Sequence, residues 1–144
     1  MLSNTADYAL RAILVLARAS SGQRATALRA DEIADAIGAP RNYLAKTLNA
    51  LAKARLVASA RGPGGGFTLA VAPTSLTVAE IVDLFDEPRP MPRCLLGTAP
   101  CNPAAPCVAH ERWSAITAAR REPFASTTIA QLLGAPGQPA SAAA

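Results

Sequence analysis

RNYLAKTLNALAKARLVASARGPGGGFTLAV, Arg41 to Val71, decides how this chain folds. Pro40 precedes it, and proline suits the first turn of a helix because its fixed φ is already helical and no N–H bond is lost there. Leu44, Leu48 and Leu51 recur at helical spacing and form an inner stripe, so the spacing predicts a helix running to about Arg55. The opposite stripe is Asn42, Lys46, Asn49 and Lys53, with Arg41 and Ala45 beside it. Two strand-like runs follow, Val57 to Ala60 and Phe67 to Val71, and they bracket RGPGGG. Alternating short runs around a glycine-rich turn read as a hairpin.

Working outward, a second helix is expected to start near Ala30 or Asp31, where the acidic Asp31 and Glu32 meet the positive end of the helix dipole, and to stop at Gly38. Two helices joined by Gly-Ala-Pro, the second longer and more basic, make a helix-turn-helix. With the hairpin directly behind them the order is that of a winged helix-turn-helix. On that reading Arg41, Asn42, Ala45, Lys46, Asn49 and Lys53 face DNA, where the polar side chains donate to phosphates or base edges. Taken alone, the same pattern also describes an ordinary solvated helix face. The wing tip, with Arg61 as its reaching charge and Gly62 and Gly64 in its turn, lies against the DNA backbone or minor groove. A nucleotide-binding loop is disfavoured, because no Gly-Lys-Ser/Thr follows the glycines and no helix starts there.

The charge distribution agrees. The chain has 144 residues and a formal net charge of +4. Up to Ser75 it carries nine basic and four acidic residues, and beyond it five and six. The basic half is the candidate for an anionic partner, and a basic domain fits nucleic acid. The length allows one domain with a real core, or a small domain plus an assembly element. Aromatic residues make up only 4% of the chain, so the core is expected from Leu, Ile, Val and Ala, which suits close-packed helices. The fold class expected is therefore mainly α. One histidine, no Ser-His-Asp arrangement and no nucleotide loop argue against an enzyme.

Elsewhere, Leu10, Ile13, Leu14 and Ala17 predict a first helix over Thr5 to Ala19. TVAEIVDLFDE predicts another from Thr77, capped by Thr77 or Ser75. The segment from Pro88 to Pro106 reads as a long loop, followed by a helix from Val108 to Glu122 that ends at Pro123 and a short last helix in TTIAQLL. GAPGQPASAAA reads as a disordered tail. The organisation expected is 1–75 for the DNA-binding unit, 76–134 for the loop and assembly helices, and 135–144 for the tail. No stretch has the form of a signal peptide or is apolar enough to span a bilayer, which points to the cytoplasm and no membrane partner.

Every cysteine and the only histidine fall in CLLGTAPCNPAAPCVAHERW, Cys94 to Trp113. In a reducing compartment an odd, clustered set of thiols serves metal or redox chemistry more often than a disulfide. Prolines keep the segment from coiling, so Cys94, Cys101 and Cys107 can wrap one object, and His110 shares a helix face with Cys107. Soft thiolates suit an iron-sulfur cluster. Zinc held by three cysteines and a histidine lacks the usual close pairs, and a metal-free thiol switch has only Arg93 nearby to favour the thiolate.

These residues carry a resemblance. SNTADYALRAILVLA, RNYLAKTLNAL, RGPGGGFTL, PTSLTVAEIVDLF, the three cysteines and TTIAQLL together resemble the Rrf-two family of bacterial transcription regulators, which includes IscR-like and NsrR-like iron-sulfur sensors. The resemblance covers Ser3 to about Leu133. It implies a homodimeric redox sensor and repressor in which the long helix after the cysteines crosses to its partner, with Trp113 and Ile116 at the interface. Two recognition helices related by a two-fold axis would read a palindromic double-stranded operator. It also implies a ligand set: His110 as fourth ligand of a 2Fe-2S cluster, the preferred pattern here, or Asp7 from the other subunit completing a 4Fe-4S cluster. The six-residue gap between Cys94 and Cys101 departs from the five common in IscR-like members.

Overall fold

The computed structural model describes residues 2–22, 25–86, 94–97 and 99–134. The predicted tail and part of the predicted loop, including Met91 and Arg93, lie outside them. Helix α1 spans Asn4–Ser20, and Ser3 caps it by accepting the Ala6 N–H at 3.1 Å. Ala9, Ile13, Leu16 and Ala17 point inward and are fully buried. The alanines on this face let neighbouring helices approach closely, so an alanine-rich sequence still closes a core.

Helix α2 (Ala30–Ile37) starts where the Arg29 N–H donates to Glu32 at 2.7 Å. Gly38 ends it at φ 68°, a left-handed conformation that costs glycine nothing. Helix α3 (Arg41–Lys53) follows, with Leu44, Leu48 and Leu51 fully buried as their spacing predicts. Strands β1 (Val57–Ala60) and β2 (Gly66–Leu69) pair antiparallel, Val57 opposite Leu69 and Ala60 opposite Gly66. The observed β2 begins one residue before the expected run and ends two earlier.

The wing is anchored by a contact that local pattern does not announce. Leu28, just ahead of α2, bridges to Phe67 through two backbone hydrogen bonds of 3.0 and 2.7 Å. Gly66 makes this approach possible: it sits at φ 147°, and a Cβ there would stand 2.6 Å from the Leu28 carbonyl oxygen.

Helix α4 (Val78–Phe85) opens with a capping box, in which the Glu80 N–H donates to Thr77 Oγ1 while the Thr77 N–H donates to the Glu80 carboxylate. Helix α4 packs on α1. Short α6 (Ile129–Gly134) returns to the same core: the Ile129 N–H donates to the Leu76 carbonyl at 2.9 Å, and Leu76, Ile81 and Ile129 are buried with Ile13 and Leu48.

Between α4 and α6 runs α5 (His110–Ser126), and it corrects one expectation. The helix passes through Pro123 rather than stopping before it. Proline removes one backbone bond, to the carbonyl four residues earlier. Residues 118–123 are exposed, so water replaces that bond at little cost. No residue of α5 is buried within this chain. Among the described residues no helix is long and apolar enough to cross a membrane. The fold is thus mainly helical with a two-stranded wing behind a helix-turn-helix.

Candidate nucleic-acid interface and metal centre

The two faces of α3 are sharply different. The leucine stripe is buried, whereas Asn42, Lys46, Asn49 and Lys53 are exposed and Ala45 is half-buried. Past the end of β1, Arg61, Gly62 and Gly64 form the exposed wing tip, where Gly62 at φ 92° and Gly64 at φ 73° turn the chain and the Gly65 N–H closes on the Gly62 carbonyl at 2.9 Å. Arg41 is also exposed, but its guanidinium is engaged by Asp35 of α2 at 2.8 Å. The hydrogen bond to Asp35, then its charge, holds Arg41 still further above the usual guanidinium range.

Two residues that the stripe pattern does not single out also shape this surface. One is Asp35. The other is Tyr43, whose hydroxyl shares a hydrogen bond with that of Thr5 and whose ring meets Tyr8 edge-on at 5.8 Å, tying α3 to α1. At the same end of α1 the Ser3 N–H donates to Asp86 at 2.9 Å, at the end of α4. Sequence carried no signal for these links beyond the residue types, since each partner lies on a different helix.

The cysteine segment is folded by short backbone closures. The Cys94 N–H donates to the Ala99 carbonyl at 2.9 Å, the Ala105 N–H to Asn102 at 3.2 Å, and the His110 N–H to Cys107 at 3.0 Å as α5 begins. These turns bring Cys94, Cys101, Cys107 and His110 to the wall of one cavity of about 290 Å³. Cys94 and Cys107 are half-buried with sulfurs 4.0 Å apart, and Cys101 is only 5% exposed. All three are free thiols. A backbone N–H from Leu96 pulls the Cys94 thiol below its ordinary value, aided by the neighbouring thiols, while burial and then the charge of Cys94 push Cys101 up.

The donor chemistry fits an iron-sulfur core: three soft sulfurs and an imidazole, with no acidic or basic residue on the wall. The volume is many times the roughly 30 Å³ share of one water, more than a single ion requires. Among the described residues, however, no donor set stands converged at metal-binding distance. Asp7 is not on the cavity wall; it is paired with Arg11 at 3.1 Å on α1.

Beside this cavity lies an apolar groove of about 460 Å³ lined by Leu95, Val108, Ala109, Arg112, Trp113 and Ile116. Val108 is 97% exposed and Ile116 62%. A contiguous exposed patch of this kind marks an interaction surface.

Comparisons with known proteins agree with the architecture. The model of the Rrf2 family, described as an iron-dependent transcriptional regulator, matches residues 2–135. An HTH-type transcriptional regulator described in Aquifex aeolicus (strain VF5) is 35% identical over 135 residues, covering 92% of this chain and 91% of its own. Two solved structures are similar. CymR, the global cysteine regulator of B. subtilis, has a TM-score of 0.72 at 28% identity, over 92% of this chain and 95% of its own. T. potens IscR has a TM-score of 0.69 at 26% identity, over 92% and 85%.

Proposed function

The chain belongs to the Rrf2 family and is a DNA-binding transcription regulator, and on that premise we propose that it works as a homodimer whose affinity for a palindromic operator is set by an iron-sulfur cluster. The observation that carries this reading is the shared cavity wall of Cys94, Cys101, Cys107 and His110. These four residues would hold a 2Fe-2S cluster, which when bound supplies a centre that oxidation, nitric oxide or iron-sulfur shortage can alter. His110 is favoured as the fourth ligand because it lines the cavity; a 4Fe-4S cluster would instead draw Asp7 from the partner subunit.

The remaining parts assign themselves to roles. Residues 1–75 supply the DNA surface, with Asn42, Lys46, Asn49 and Lys53 on the recognition helix and Arg61 on the wing. Residues 76–134 supply the cysteine loop and the assembly helix. The groove of Leu95, Val108, Trp113 and Ile116 receives the second subunit, which explains why α5 buries nothing within its own chain. Leu95 and Val108 each lie one residue from a cysteine, so a shift of the loop moves the interface directly. Through α5, the spacing of the two recognition helices changes, and a shift of about 1–3 kcal/mol in that equilibrium is enough for a roughly 5- to 150-fold change in operator affinity.

A second reading rests on the 4.0 Å separation of the Cys94 and Cys107 sulfurs: a metal-free thiol pair, or a zinc site, controlling the same DNA surface. One preparation separates the readings. Protein purified without oxygen is expected to sediment as a dimer, to absorb visible light, and to contain about two iron and two sulfide per chain. A colourless sample that cannot be reconstituted would leave only the thiol or zinc reading, and a monomer would remove the two-fold operator.

A further inference from the structure

Asp35 lies near the end of α2 and Arg41 opens α3, so the two meet across the turn at 38–40. The guanidinium is held by one edge. Its Nε donates to Asp35 Oδ1 at 3.3 Å, and its Nη2 donates to Oδ1 at 3.1 Å and to Oδ2 at 2.8 Å. Both side chains are 63% exposed, and so wet a pair contributes little to stability. What it fixes is direction. The guanidinium is planar with five N–H donors, so a carboxylate seated on the Nε–Nη2 edge turns the Nη1 side away from it. Arginine offers two adjacent N–H donors of that kind to O6 and N7 of guanine, the commonest specific contact in the major groove. The first residues of a recognition helix are also the ones that reach base edges.

We infer that Asp35 is a positioning residue that aims the outer edge of Arg41 at a guanine in each operator half-site. The inference rests on the reading of α3 as the recognition helix and names a base that it reads. Asp35 has a second effect of the same sense: its negative charge opposes the phosphates, which weakens attraction to DNA of any sequence. Selectivity gains from both.

The test is selection from a randomised duplex pool by the full-length protein, followed by affinity measurement on the selected duplex and on random duplex. Wild type is expected to enrich guanine at one symmetric pair of positions. Arg41→Ala loses that enrichment and binds the selected duplex roughly 5- to 150-fold more weakly. Asp35→Ala loses most of the same preference while binding random duplex more tightly, and the double variant shows the preference of Arg41→Ala alone. If Asp35→Ala tightens binding to every sequence and keeps the guanine preference, Asp35 is only a repelling charge and the inference is overturned. It is equally overturned if Arg41→Ala weakens selected and random duplex alike. Failure of the underlying reading looks different: Lys46→Ala then leaves binding to both duplexes unchanged. Asp35 and Arg41 are surface residues outside the core, and unchanged helical circular dichroism verifies that each variant is folded.

Discussion

Cys101→Ala protein purified without oxygen is expected to be colourless, to carry no stoichiometric iron or sulfide, and to bind the operator as the metal-stripped wild type does. Cys101 is the most deeply buried of the three thiols, and it occupies the middle of the segment between Cys94 and Cys107. Without it the cavity offers two sulfurs and one imidazole, one ligand fewer than a cluster held by four requires. The substitution does not touch the core around Ile13, Leu48 and Ile81, so the winged helix-turn-helix should fold as before. A visible chromophore that survived in this variant would remove the three-thiolate site. The fourth position is tested in the same way: His110→Ala should alter the spectrum of a 2Fe-2S protein, whereas Asp7→Ala should leave it unchanged.

The second large effect is on DNA. Lys46→Ala combined with Asn49→Ala should weaken operator binding on the order of 100-fold or more, because each change acts twice in a symmetric dimer and base contacts are worth about 1–3 kcal/mol each. If Lys46 meets phosphate, its loss also flattens the salt dependence by about 0.9 in the logarithmic slope for each contact removed. Both side chains are exposed, and α3 is held by Leu44, Leu48 and Leu51 on its other face. Alanine also favours helix. The cluster spectrum and thermal stability should therefore stay as in wild type, which separates this prediction from simple unfolding. Undiminished binding would move the DNA surface off α3.

Much of the fold was legible because its signals are local. The stripe of Leu44, Leu48 and Leu51 needs only the helical period, Gly38 needs only its freedom at positive φ, and Thr77 with Glu80 spells out a capping box within four residues. What sequence did not reveal depends on elements meeting in space. The Leu28 bridge to Phe67 joins residues 39 apart. The Tyr43 hydroxyl finds Thr5, and Arg41 finds Asp35, across separate helices. Pro123 misled because a proline rule assumes that the lost backbone bond matters, and on the exposed side of α5 it costs little. For the cysteine site, clustering along the chain foretold a shared centre. It did not foretell that Cys101 would be buried while Cys94 and Cys107 remain half-open to the cavity mouth. The choice between His110 and Asp7 turns on a second subunit, which periodicity in one chain does not encode.

The most direct test of the switch is the affinity of one anaerobic preparation for its selected duplex, measured before and after removal of the metal centre at fixed salt. The account predicts a roughly 5- to 150-fold difference between the two forms. Equal affinities, from a sample shown to contain iron and sulfide beforehand, would contradict it.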